Sequence, residues 1–295
     1  MRPPLLRRRQ PGTSGTAGRL MPARAPQEGG RHAAGRWLGI FRINRYLCVI
    51  KTQTMARKGQ YVYEYPHPAV TADSVVFGYD GKELKVLLIR RGAEKEASTT
   101  AFVGEWALPG GFLDVEKDKT VAHTAARELK EETGLKIPIR EFKEVGTFSD
   151  IKRDPRERVI TVAHYALVKL AEVQADTDAD NAEWFSWGDI PHLAFDHDKI
   201  LRVAFSQLKR DIHFEPVGFN LLPEIFTLPQ LQNLYESILE VKFDRRNFAN
   251  KMKHFEILQE TDDGTPRHGT RTPIKYRFDK DNYDRLKAKG FQLEF

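Results

Sequence analysis

The chain reads as an α+β protein, a sandwich of strands and helices followed by a small module of two helices and a hairpin. Three observations predict it. Between residues 61 and 213, runs rich in β-branched and aromatic residues bracket segments with a helical apolar period. A glutamate-rich helical segment follows a double-glycine turn in the middle of that stretch. Past residue 215 the pattern changes to helix, turn, basic helix and hairpin. The 295 residues leave room for two modest domains.

Residues 1–54 stand apart. They hold eleven Lys or Arg and one acid, Glu28, whereas the rest of the chain has more acids than bases, so the net charge of +6 belongs to this leader. It is rich in Arg, Gly, Ala and Pro without helical or strand period. That composition is shared by transit peptides, by basic nucleic-acid-binding arms and by a reading frame extended ahead of a start at Met55. A membrane span needs roughly 20 apolar residues. The nearest approach, Trp37 to Ile50, is broken by Arg42 and Arg45, so no membrane association is expected. The single cysteine, Cys48, leaves no intrachain disulfide framework and fits a reducing, cytoplasmic setting.

The globular part is expected over 61–213. Ser74–Tyr79 and Lys85–Arg91 are strand-like and joined by Asp80-Gly81, a hairpin turn. A polar loop over 92–104 leads to Trp106-Ala107-Leu108-Pro109-Gly110-Gly111, a short strand ending where backbone can approach a ligand closely. The next segment is helical. Ala122, Ala125, Ala126 and Leu129 form its apolar stripe, Asp118 or Thr120 caps its start, and Gly134 ends it. Glu128, Glu131 and Glu132 then share one helical face, which reads either as a solvated surface or as a site where a divalent cation turns their repulsion into coordination.

Glu144–Phe148 and Arg158–Val168 are again strand-like, separated by the charged loop 150–158. Arg153, Arg156 and Arg158 there suit phosphate, or else form internal pairs with the loop's aspartates. Trp184, Phe185 and Trp187 read as core rather than as a base-stacking surface. A second helix is expected near 197–210, with His197 ordering its start. His164 reads as a satisfied sheet residue, and Glu215–Asn220 as a linker.

In the last part, 221–295, residues 228, 231, 234, 235, 238 and 239 have a helical period. Asp244 caps a second helix in which Phe248 and Met252, with Phe255 beyond, face the core. Arg245, Arg246, Asn247, Asn250, Lys251 and Lys253 are left outward. A segment with Arg267 and Arg271 then leads to Ile274–Phe278. This is the plan of a winged helix-turn-helix, in which the second helix enters the major groove of double-stranded DNA. A packing or dimerisation module with a basic face has the same pattern.

The stretch from Trp106 to Leu135 resembles the Nudix box, G-x5-E-x7-R-E-U-x-E-E-x-G-U with U aliphatic. Gly111, Arg127, Glu128, Leu129, Glu131, Glu132, Gly134 and Leu135 fit it. Lys119 stands where the pattern has a glutamate, and the loop from Gly111 to Arg127 is two residues longer; Glu116 or Asp118 can substitute. The resemblance implies a Nudix α/β/α sandwich in which Glu128, Glu131 and Glu132 hold Mg²⁺ or Mn²⁺ and Arg127 ties them in place. It also implies that Gly110, Gly111, Arg153 and Arg156 line the substrate site, with Glu183 or Asp154 as candidate proton acceptors.

Residues 61–295 together resemble Nudix-related transcriptional regulators. That likeness implies DNA contacts from Arg245, Arg246, Asn247, Lys251, Arg267 and Arg271, and a homodimer matching palindromic DNA. Two functions are expected from it. One is a Mg²⁺-dependent hydrolase of a nucleoside diphosphate derivative, ADP-ribose foremost, carrying a DNA-binding domain. The other is a weakly catalytic or non-catalytic regulator that senses ADP-ribose or a sugar metabolite.

Overall fold

The computed structural model describes the strand pair 42–43 and 46–47 and residues 63–92, 102–170, 182–261 and 273–294. In the N-terminal unit, residues 1–62, β1 (Arg42–Ile43) pairs antiparallel with β2 (Tyr46–Leu47). Residues 63–295 form a second compact unit.

That unit is built on one mixed sheet. Its strands are β3 (Ala69–Tyr79), β4 (Leu84–Arg90), β5 (Trp106–Ala107), β6 (Gly110–Phe112), β7 (Lys143–Phe148), β8 (Val159–Lys169) and β9 (Ala182–Ser186). The path is β5-β4-β3-β8-β7, with β6 also on β3 and β9 on β4. β3 and β8 are the parallel pair, in register from Ala69–Val159 to Tyr79–Lys169. The β3–β4 turn follows from Asp80, whose Oδ1 accepts the N–H groups of Lys82 and Glu83, and from Gly81 at φ +95°.

Both faces of the sheet are covered, so β3 and β8 are buried almost continuously rather than alternately. Ala72, Val76, Leu87 and Ala166 pack beneath Ala125 and Leu129 of α1 (Val121–Thr133). On the other face Val75, Phe77, Val86 and Tyr165 meet Ile200, Ala204 and Leu208 of α2 (His197–Phe214). Thr120 is the α1 N-cap, and Gly134 ends the helix at φ +76°.

β10 (Phe226–Thr227), β12 (Lys275–Phe278) and β11 (Leu258–Thr261) form a second, antiparallel sheet in that order. α3 (Leu228–Leu239) opens on a Thr227–Gln230 capping box, and α4 (Arg245–His254) opens on Asp244, whose Oδ1 accepts from Asn247 N at 2.9 Å. α5 (Lys280–Ala288), absent from the expected plan, packs Tyr283 beside Phe278 and Phe291.

The expected linker is a correction. Pro216–Leu221 is a 3-10 helix with Val217, Phe219 and Leu221 buried, and Phe219 stacks on Phe278 at 4.5 Å. One apolar cluster runs from Phe77 and Phe205 through Phe219 to Leu234, Phe248 and Tyr276. Ser237 of α3 accepts the Leu84 N–H at 3.1 Å, a polar tie between the parts.

Candidate functional site

The β3–β6 pairing sets Ala72 opposite Gly111 and Asp73 opposite Gly110, beside the carboxylate face of α1. A cavity of about 280 Å³ opens there, lined by Asp73, Gly110, Gly111, Glu128 and Glu132 together with Arg91, Phe112, Arg156 and Phe195. The two glycines are required by space. A β-carbon on Gly111 would stand 2.4 Å from the Glu128 carboxyl carbon, and one on Gly110 would stand 2.6 Å from Asp73 Oδ1.

Arg127 organises the glutamates. Its Nη1 donates to Glu128 Oε1 at 2.7 Å and Glu131 Oε2 at 3.2 Å, and its Nη2 to the Phe112 carbonyl at 3.0 Å. The guanidinium also grips Asp118 in a fork, Nε to Oδ1 at 3.1 Å and Nη2 to Oδ2 at 2.8 Å. Asp118 therefore occupies the role that the family pattern gives to the glutamate replaced by Lys119. The extra loop residues are absorbed by a turn in which Asp114 Oδ1 accepts the N–H groups of Glu116 and Lys117. The Arg127 bonds hold the Asp118 carboxyl well below the usual carboxylate range.

The three glutamates share a helical face but not one environment. Glu131 is 59 % exposed and held by Arg127, outside the cavity lining. Glu128 is raised above the ordinary glutamate value by burial, against Arg127. Burial foremost, then the charges of Glu128 and Asp73, push Glu132 up to about 8, although the Gly110 N–H donates to it at 2.9 Å. Among the described residues no three Asp, Glu, His or Cys side chains stand at metal-coordinating spacing. The donor chemistry nonetheless fits a hard divalent cation, because buried carboxylates with raised proton affinity are groups a cation would keep ionised.

Arg153 is among the residues that line the cavity, and its guanidinium is 4 % exposed. It donates to Asp196 at 2.9 and 3.2 Å and stands 3.4 Å from Asp73 Oδ2. Of the candidate proton acceptors, Glu183 lies exposed on β9, away from the cavity. Asp154 lines the cavity, but both its oxygens accept from Arg156. Burial pushes Asp154 up, and Arg156 more than offsets this, leaving it below the ordinary value.

Arg156 also lies over the rings of Phe112 and Phe195, 5.4 Å from each centroid, and Arg91 lies 4.8 Å from Phe195. Phe195 holds a left-handed backbone, φ +57°, which sequence reading does not reveal. His197 begins α2, and its Nδ1 accepts the Leu108 N–H at 3.0 Å. Nε2 therefore carries the proton of the neutral ring, which burial favours by lowering the His197 pKa. Asp73, Arg91 and Phe195 are among the cavity residues that the sequence reading did not assign to the site, and His197 was read only as ordering its helix. Only assembly of β3, β6 and the α2 start brings them together. Phe185 packs on Trp106, and Trp187 on Phe205, as the core reading expected. His164 is a buried sheet residue, as expected, although its Nδ1 has no partner.

In the C-terminal part Phe248 and Met252 are buried while Arg245, Arg246, Asn247, Asn250, Lys251 and Lys253 are exposed. Glu236 of α3 fixes the approach to this basic helix. It accepts from Gln232 at 2.8 Å, from the Phe243 N–H at 3.0 Å and from Lys242 at 2.7 Å. Arg267 and Arg271 lie outside the described residues.

An α/β/α sandwich with an Arg-tied glutamate helix, joined to a winged helix with a basic outer face, defines a Nudix protein carrying a DNA-binding module. Residues 67–204 match the NUDIX domain family, and residues 218–278 match the NrtR DNA-binding winged helix domain. The chain is 34% identical over 224 residues to the ADPR responsive transcriptional repressor NtrR of Acinetobacter baylyi, covering 75% of this chain and 86% of that protein. It belongs to the NrtR family of Nudix-related transcriptional regulators. The crystal structure of Shewanella oneidensis NrtR complexed with a 27mer DNA is similar at a TM-score of 0.61 and 30% identity, over 73% of this chain and 95% of that one. An ADP-ribose pyrophosphatase of Methanocaldococcus jannaschii is 41% identical over 138 residues, 47% of this chain and 73% of that protein. Nudix hydrolases as a family use divalent metal. Among the described residues no helix is long and apolar enough to cross a membrane.

Proposed function

We propose that this protein is a DNA-binding transcriptional regulator whose Nudix cleft binds ADP-ribose or a closely related nucleoside diphosphate sugar. The likeness to the A. baylyi repressor, running through both the sandwich and the winged helix, carries the reading. The exposed side chains of α4 support it physically. Arg245, Arg246 and Lys251 offer phosphate and guanine-edge contacts, and Asn247 an adenine-edge contact. Arg267 and Arg271 are proposed as further DNA contacts. A homodimer matches the two-fold symmetry of a palindromic operator.

In the cleft, Arg91 and Arg156 face the diphosphate, Gly110 and Gly111 let it approach the backbone, and Phe195 packs against an apolar part of the ligand. Arg153 acts from beneath, by holding Asp73 and Asp196 in place. Glu128 and Glu132, with Glu131 by family pattern, would hold Mg²⁺ or Mn²⁺, which supplies charge neutralisation across the diphosphate.

A second activity is favoured by one observation: Asp118 restores the arginine tie that Lys119 breaks in the pattern, leaving the glutamate helix organised as in a hydrolase. Slow Mg²⁺-dependent cleavage of ADP-ribose is therefore proposed alongside sensing.

Gel-shift titration against DNA upstream of the protein's own gene tests the regulator. Sequence-selective binding is expected, falling with salt, weakened about tenfold or more by Arg246→Ala, and altered by ADP-ribose. Equal affinity for unrelated DNA would overturn it. Release of AMP and ribose phosphate, abolished by Glu132→Gln, tests the hydrolase.

A further inference from the structure

We infer that the hydroxyl of Thr71, on strand β3, is a ligand contact of the cleft and hydrogen-bonds a sugar hydroxyl of the bound molecule. The inference rests on the reading of the cleft as a site for a nucleoside diphosphate sugar, and it names a group that recognises the sugar.

Thr71 lines the cavity, is 7 % exposed, and has its Oγ1 buried without a hydrogen-bond partner. Folded proteins seldom leave a buried polar atom unpaired, because its lost hydration then goes uncompensated. In the wall of a binding cavity, such an atom is a group whose partner arrives with the ligand.

The backbone gives this hydroxyl a fixed place. Thr71 is opposite Phe112 of β6 on one side and Thr161 of β8 on the other. Its strand is therefore held from both edges, and branching at the β-carbon restricts rotation about χ1. Strand alternation sets Thr71 and Asp73 on one face of the sheet, about 7 Å apart along β3. Both line the cavity.

Position and chemistry together select the sugar. Gly110 and Gly111, where the diphosphate approaches the backbone, stand opposite Asp73 and Ala72. Thr71 is the next step along the strand, beyond the glycines. The charged groups of this wall are engaged with one another: Asp154 accepts from Arg156, and Arg153 donates to Asp196. Guanidinium groups suit phosphate oxygens, whereas a hydroxyl both donates and accepts and is matched by another hydroxyl. In a nucleoside diphosphate sugar, the group flanking the diphosphate is a sugar.

Thr161 supplies an internal control. Its Oγ1 is also buried without a partner, on the adjacent strand, but Thr161 does not line the cavity.

Calorimetric titration of the full chain with ADP-ribose, beside urea unfolding without ligand, tests the assignment. Thr71→Val keeps the side-chain shape and removes the hydroxyl. It is expected to weaken ADP-ribose binding about fivefold, the worth of one neutral hydrogen bond. The ligand-free variant is expected to unfold at an equal or higher urea midpoint, since an unpaired buried hydroxyl has gone. Thr71→Ser, which restores the hydroxyl, is expected to bind more tightly than Thr71→Val, and Thr161→Val to bind as the wild type does. Inorganic pyrophosphate, which has no sugar, is expected to bind wild type and Thr71→Val alike. An equal loss for pyrophosphate would place the contact on the diphosphate and overturn the sugar assignment. Wild-type ADP-ribose affinity in Thr71→Val, or a lowered urea midpoint, would overturn the role of Thr71 and leave the cleft reading standing. No ADP-ribose binding by the wild type would overturn both.

Discussion

Arg127 shows why single positions matter more here than the family spacing. Its guanidinium reaches Asp118, Glu128, Glu131 and the Phe112 carbonyl at once, and the Asp118 fork is the most buried of these contacts. Asp118 is further fixed by the Asp114 N–H and the Thr124 hydroxyl, each at 3.0 Å. Asp118→Ala is expected to destabilise the protein by about 2 kcal/mol, since it removes charge-assisted bonds and leaves a half-buried guanidinium short of a partner. Lys119→Ala is expected to stay within about 0.5 kcal/mol, as a surface change. Urea unfolding of the two variants measures the contrast, and equal losses would show that the position, not the geometry, carries the tie. The glutamate helix itself was readable in sequence because its chemistry repeats at helical spacing. Asp73 and His197 were not. A lone aspartate in an apolar strand and a histidine after a loop acquire meaning only when β3 pairs with β6 and α2 starts beside them.

Among the elements, those with a sustained period and a chemical cap were readable and the others were not. α3 and α4 follow from the apolar residues of 228–239 and from Asp244. α5 buries only Tyr283 among its own residues, so it has no stripe to read. Pro216–Leu221 carries the Pro and Gly of a linker, yet packing buries its apolar side chains. Nor does a helical period show that Glu236 is more than a surface acid. The bonds from Lys242, Gln232 and the Phe243 N–H hold its carboxyl down at about 2. An acid whose folded-state value is depressed contributes stability above its unfolded value, about 4.3, and loses it as pH falls toward the folded value. The advantage of the native chain over Glu236→Gln is therefore expected to be about 1 kcal/mol near neutrality. It should disappear between about pH 4.5 and pH 2. Thermal unfolding of both proteins across that range measures it. A difference that stays constant to the acid limit would show that the ionised carboxylate does not hold the turn before α4.

At the scale of the whole molecule, the continuous apolar cluster argues that the sandwich and the winged helix do not unfold separately. Domains joined by a flexible linker share little core and melt one by one. Here Phe219 and Leu221 of the connecting 3-10 helix sit in the same cluster as Phe205 of α2 and Leu234 of α3, while Ser237 accepts from the backbone of β4. The tryptophans make this testable. Of the four tryptophans, Trp106, Trp184 and Trp187 belong to the Nudix part, Trp37 lies ahead of it, and none lies beyond residue 187. In a Trp37→Phe variant the fluorescence reports the sandwich, whereas far-ultraviolet circular dichroism also records α3, α4 and α5. The two signals are expected to give coincident denaturant transitions with one midpoint. A helical signal persisting after the tryptophans are exposed, or lost before them, would mean that the shared core does not couple the parts. Coincidence has a functional consequence. Strain introduced when a ligand fills the cleft between β3, β6 and α1 would then pass through a packed core to the helix that carries Arg245 and Arg246, with no hinge between to absorb it.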